Sequence, residues 1–107
     1  DGAFGMWGTD IETASRSGFA ITTVILNNGG MATYPGGFPT AREQYEVSHM
    51  QGDYAMIAEG MGATGLVVKD PAELGSALKK AQQLNKEGKT VLIDVHSNME
   101  SKKSYYS

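Results

Sequence analysis

The sequence predicts an α/β fold, a parallel sheet with helices on both faces. Two observations carry that prediction. Phe19–Leu26, Leu66–Val68 and Thr90–Val95 are short apolar runs of the kind that strands make when both of their faces are covered. Stretches with helical spacing separate these runs, and strands that alternate with helices pair in parallel through right-handed crossovers. At 107 residues the chain is one small domain. It carries no internal repeat.

The elements can be justified in order. Thr9-Asp10-Ile11-Glu12 has the pattern of a capping box, so a helix should start near Thr9. Ile11, Ala14 and Ser15 would form its buried stripe, and Gly18 its stop. Asp10 and Glu12 read as favourable charge at a helix N-terminus and not as catalytic acids. Phe19–Leu26 is rich in β-branched residues, and Ile21–Leu26 should be a central strand. Asn27-Asn28-Gly29-Gly30 stops it with residues that tolerate positive φ.

Met31–Met50 is long and irregular, with Pro35-Gly36-Gly37 and Pro39. Such stretches inside a compact domain tend to be functional or disordered. Tyr34 and Phe38 fit either a pocket or loop packing. His49 is a lone histidine and reads as a bystander or a hydrogen-bonded group before a catalytic one.

Asp53 should cap a helix with Tyr54, Ile57, Ala58 and Met61 on one face and Gly62 at its end. Met56 and Met61 read as core filling. Asp70-Pro71-Ala72-Glu73 is a strong helix start, with an N-cap, Pro at the first position and an acid at the third. Leu74, Ala77, Leu78, Ala81 and Leu84 make one apolar face. Lys79, Lys80 and Lys86 belong to a solvated face that complements the helix dipole. Gly88 turns the chain into Thr90–Val95. His96–Ser107 is polar and without period, so residues 1–95 are expected to form the domain and 96–107 a frayed tail or a link onto a partner.

Composition narrows the function. Apolar residues make up 40%, charged residues 20%, and the net charge is −3. No basic face is available for nucleic acid. No apolar stretch reaches the length of a membrane span. There are no cysteines, hence no disulfide or thiol chemistry, and the absence fits a cytoplasmic protein.

The chemistry concentrates in Asp1–Gly30. Ala3–Leu26, 24 residues, separate Asp1-Gly2 from Asn27-Asn28. If a parallel strand feeds Asp1 and another ends at Leu26, both ends of the stretch meet at the carboxyl edge of one sheet, where open α/β sheets bind ligands. Asp1 could supply a carboxylate oxygen, Asn28 an amide oxygen, and the Gly29-Gly30 turn a carbonyl. An all-oxygen set suits Mg²⁺, which takes one or two protein groups plus ligand phosphates. Gly2 would let a phosphate approach the backbone closely, and the following helix start favours an anion. The competing reading is a non-catalytic, doubly wound nucleotide-binding or receiver-like module, in which Asp1-Gly2 and the Asn pair are plain turns. No G-x-G-x-x-G or Lys-containing phosphate loop supports it.

Asp1-Gly2, the spacing, and Asn27-Asn28 resemble the second half of the cofactor motif of thiamine diphosphate-dependent enzymes, and the likeness runs through Thr90-Val91-Leu92-Ile93-Asp94-Val95. The resemblance implies that Asp1, Asn28 and the carbonyl of Gly30 hold Mg²⁺, while Gly2 and Ala3 contact the diphosphate of thiamine diphosphate. It implies part of the thiamine diphosphate-binding fold and an acetolactate synthase-like enzyme. Such an enzyme decarboxylates a 2-keto acid and transfers or releases the carbanion equivalent. Related branches include oxalyl-CoA decarboxylases, benzaldehyde lyases and sulfoacetaldehyde acetyltransferases, so the substrate is a 2-keto acid or an acyl-CoA. A homodimer or homotetramer is implied, with the cofactor completed by the pyrimidine-binding domain of the same or a neighbouring subunit. The motif's first Gly, the strand before it and the activating Glu of that pyrimidine-binding domain are not in this sequence. The chain is therefore expected to be part of a larger enzyme and inactive alone.

Overall fold

The computed structural model describes residues 1–30 and 39–99. In order they form α1 (Gly2–Trp7), α2 (Asp10–Arg16), β1 (Thr22–Asn27), α3 (Pro39–Tyr45), α4 (Tyr54–Gly60), β2 (Thr64–Val68), a 3₁₀ turn (Pro71–Glu73) running into α5 (Leu74–Lys86), and β3 (Val91–His96). The strands make one parallel sheet in the order β1-β3-β2. This is the α/β architecture that the alternation predicts.

Local chemistry sets most boundaries. The Asp53 carboxylate accepts from the Met56 amide at 2.9 Å, and the Asp70 carboxylate from the Ala72 amide at 2.9 Å. Both are N-caps, as their sequence context predicts. The helices α2, α4 and α5 all close alike. Gly18, Gly62 and Gly88 each donate to the carbonyl three residues back, and the next residue donates to the one five back. That pairing is the Schellman arrangement, which satisfies two carbonyls a helix end would otherwise strand.

The sheet carries a core on each side. On one, Leu92 of β3 and Ile25 of β1 pack with Ile11 of α2 and Tyr54 and Ala58 of α4. On the other, Val91 and Ile93 of β3 and Val68 of β2 pack on Ala81 of α5. Phe4 meets Tyr54 edge to face, with ring centroids 5.3 Å apart, which docks α1 on the first core. Asn85 ties α5 to β1: its Oδ1 accepts from Thr22 Oγ1 at 2.7 Å, and its amide donates to Ile21 at 3.2 Å.

Several expectations need correction. Ile21–Leu26 does not form the central strand: among the described residues β1 is an edge and β3 is central. Val91, Leu92 and Ile93 are fully buried, whereas Val24 and Leu26 are 44% and 69% exposed. Strand order follows which run is covered on both faces, and that is β3. The capping box at Thr9 does not form. Thr9 is itself helical (φ −64°, ψ −16°) because α1 runs almost directly into α2, so its hydroxyl has no extended backbone from which to reach the amide. Glu12 instead pairs with Arg16 at 2.9 Å on the surface.

Met56 is exposed and not core filling, and Ile57 and Leu78 are also largely outside their helices' buried faces. In α4 the small Ala55 and Ala58 face the sheet, because the approach there is close. Part of the stretch read as irregular is helix α3. The last strand continues to His96, one residue past the expected domain boundary. Tyr34 and Phe38 lie outside the described residues.

The closeness of α4 to the sheet yields a prediction. A Cβ built on Gly65 of β2 would overlap the Ala55 carbonyl of α4, a backbone atom that cannot swing aside. Gly65→Ala is expected to destabilise the fold by about 1–3 kcal/mol. Thermal unfolding measures this, and an unchanged melting temperature would show that α4 can move off the sheet freely.

Candidate functional site

Parallel strands end together, so β1 and β3 deliver Asn27 and His96, register partners, to the same edge. Asp1 reaches this edge from the other side. Its backbone nitrogen donates to the Leu26 carbonyl at 3.1 Å, two residues before Asn28. One oxygen of its side chain, Oδ1, accepts from the Gly2 amide at 3.0 Å and caps α1. The other, Oδ2, is shielded from solvent and has no partner among the described residues. A buried carboxylate oxygen without a donor is costly, and a cation would relieve it.

The Asn-Asn-Gly-Gly turn is tightly specified. Asn27 Oδ1 accepts from the Gly29 amide at 3.2 Å, and Asn28 Oδ1 from the Gly30 amide at 3.0 Å. These successive Asx turns bend the chain, and the bend places Gly29 at φ +69°, where a side chain would be strained. Neighbouring segments then pin it. The Met50 amide donates to the Gly29 carbonyl at 3.0 Å, the Ser97 amide donates to the Asn27 carbonyl at 2.8 Å, and Gly30 bridges His49. Gly30 is buried against Met99, whose methyl occupies the space that a Cβ would need.

The structure thus brings Asp1, Gly2, Asn28 and Gly30 to one edge. Ala3 follows on the exposed first turn of α1. His49 contributes backbone to the turn, and its side chain is exposed, in keeping with a bystander. Among the described residues no three His, Cys, Asp or Glu side chains gather to cage a metal. What is present is one carboxylate, one amide oxygen and a turn carbonyl, an all-oxygen set that fits a hard cation sharing its remaining positions with phosphate.

Two further features adjoin this edge. An open, mostly apolar groove of about 460 Å³ runs between β1 and helices α1 and α2, lined by Phe4, Trp7, Ile21, Val24 and Leu26. Asp94 of β3 is only 1% exposed, with Oδ2 3.3 Å from His96 Nε2 and Oδ1 buried without a partner among the described residues. Sequence reasoning passed over Asp94. The available signal was one acid inside an otherwise apolar strand, since Asp is almost never fully buried unless paired.

Residues 1–95 match the family model described as thiamine pyrophosphate enzyme, C-terminal TPP binding domain. The chain is 33% identical over 98 residues to the sulfoacetaldehyde acetyltransferase of Alcaligenes xylosoxydans xylosoxydans, covering 89% of this chain and 16% of the relative. It is 28% identical over 102 residues to the acetolactate synthase large subunit of Corynebacterium glutamicum, covering 88% and 16%. A 2-hydroxyacyl-CoA lyase of Arabidopsis thaliana shares 29% identity over 112 residues, covering 94% and 19%. The chain therefore spans 16–19% of the length of these relatives. The family match displaces the alternative of a nucleotide-binding or receiver-like module. With its Asp-Gly and Asn-Asn ends meeting at one sheet edge, the chain belongs to the thiamine pyrophosphate enzymes, and corresponds to their C-terminal, cofactor-binding domain.

Proposed function

We propose that this chain anchors thiamine diphosphate through Mg²⁺ within a larger, acetolactate synthase-like enzyme. The observation that carries the reading is Asp1 Oδ2, a buried carboxylate oxygen that lacks a partner at the edge where Asn28 and Gly30 also lie. Asp1 Oδ2, Asn28 Oδ1 and the Gly30 carbonyl would hold Mg²⁺. Gly2 and Ala3 would face the diphosphate, where Gly2 adds no side-chain bulk. When bound, thiamine diphosphate supplies the electron sink for decarboxylating a 2-keto acid or cleaving an acyl-CoA. The chain's own work is to fix the site. The Asx turns and the Met50 and Ser97 amides hold the Asn27-Asn28-Gly29-Gly30 backbone, and the Leu26 carbonyl holds Asp1.

The same proposal includes a pyrimidine-binding domain in the same or a neighbouring subunit, a dimeric or tetrameric assembly, and a cytoplasmic location. No helix among the described residues is long and apolar enough to cross a membrane. Calorimetric titration of the full-length protein with thiamine diphosphate, with Mg²⁺ and again with excess EDTA, tests the reading. Chelation is expected to abolish binding. Equal affinity with and without the divalent cation would defeat the proposed anchor.

A further inference from the structure

Asp94 is a buried carboxylate that the proposed metal site does not use. It lies in the central strand, on the face shared with Leu92, and is closed off from solvent. An aliphatic side chain of similar shape should be tolerated at that position, because replacing buried ionic groups with apolar ones is often neutral or stabilising and the partner left behind, His96, still reaches solvent. The carboxylate must therefore serve something local, and among the described residues it contacts His96 Nε2, 3.3 Å from Oδ2.

His96 begins the segment on which the site turn rests. It is the register partner of Asn27, the next amide (Ser97) donates to the Asn27 carbonyl at 2.8 Å, and Met99 packs against Gly30. Every one of these contacts depends on where the end of β3 lies. The His96 side chain is 42% exposed, and the buried Asp94 carboxylate meets it from the core side.

We propose that Asp94 is a positioning residue for the metal site: by holding His96 it fixes the end of β3 under Asn27, and so sets the Asn28 amide oxygen and the Gly30 carbonyl. This rests on the proposed Mg²⁺ site. Groups bonded directly to a metal ligand usually matter about 10–100-fold to affinity; Asp94 acts at a further remove, so the low end, about tenfold, is expected here.

The test titrates Mg²⁺ into the full-length protein at saturating thiamine diphosphate, and follows thermal unfolding in parallel. Asp94→Leu is expected to weaken Mg²⁺ about tenfold while its melting temperature equals or exceeds that of the wild type, because the orphaned Oδ1 is gone. His96→Leu, at an exposed position, should lose affinity to the same extent, and the double variant should be no worse than either single one. A purely structural Asp94 behaves oppositely, with a lowered melting temperature and losses that add to those of His96→Leu; either result overturns the proposal. If Asp94→Leu does not fold, His96→Leu alone must show the loss, and unchanged Mg²⁺ affinity in it overturns the role. A wild-type protein that binds thiamine diphosphate without Mg²⁺ dependence removes the metal site itself, whereas Mg²⁺ dependence that survives both substitutions removes only this inference.

Discussion

Replacing Asp1 or Asn28 by alanine in the full-length protein is expected to abolish Mg²⁺-dependent binding of thiamine diphosphate. Asp1 carries the single carboxylate of the proposed ligand set, and its Oδ2 is already desolvated and without a partner among the described residues. Mg²⁺ dehydrates reluctantly and leans on one or two charged protein oxygens, so a lost carboxylate cannot be replaced by water at equal strength. Asn28 supplies the second side-chain oxygen, and its Oδ1 also holds the Gly30 amide at 3.0 Å. Removing it loses one ligand and loosens another. Because groups behind the ligands are worth up to about 100-fold, each ligand substitution should cost more than that. Asp1→Asn separates shape from charge and should also fail. Calorimetry that returned wild-type affinity for both alanine variants would remove these residues from the site.

The second large effect concerns the 107 residues taken alone. They are expected to show no 2-keto acid decarboxylation with thiamine diphosphate and Mg²⁺ in excess, and to self-associate. The activating Glu that the family resemblance implies belongs to the pyrimidine-binding domain. Loss of a positioned acid or base costs on the order of 10²–10⁴ in rate. Beside the site, the outer edge of β1 is unpaired among the described residues, with Val24 and Leu26 exposed along the apolar groove. Unpaired apolar edges recruit other edges, and lysine is an effective block. Sedimentation should therefore show association that Val24→Lys reduces. Turnover near that of the full-length protein would mean that the chemistry resides in these residues after all. A monodisperse monomer would mean that the β1 edge is less adhesive than its side chains imply.

The features that the sequence disclosed are those encoded within a few neighbouring residues. Asp53 and Asp70 cap helices because the amide each one needs is two or three positions away. The Asn-Asn-Gly-Gly turn closes through bonds that span two residues. The meeting of Asp1 with the end of β1 was also readable, because a fixed motif spacing carries it. Strand order was not. Whether Ile21–Leu26 or Val91–His96 takes the centre depends on which helices cover each face, and no local pattern records that. Thr9 failed for a related reason: a capping box presumes an extended residue before the helix, and α1 removes it. Asp94 was overlooked because an isolated acid becomes conspicuous only once its neighbours are known to be sealed from water.

The placement of β3 at the centre of the sheet has a consequence for biosynthesis. The strand that both others need is the last to be made. As the chain leaves the ribosome, β1 and β2 emerge before the strand that joins them, since among the described residues each pairs with β3 and neither with the other. Neither the β1–β3 nor the β2–β3 ladder can form until residues 91–96 are out. Pairing Thr22 with Val91 closes a long loop, and contacts so distant in sequence slow folding. Nascent chains halted before Val91 should thus hold helices but neither of these ladders, with apolar strands open to chaperones. Folding in this region should behave as a single late event triggered by the arrival of Val91–His96, and ribosome-stalled chains ending on either side of that strand should differ sharply in resistance to protease.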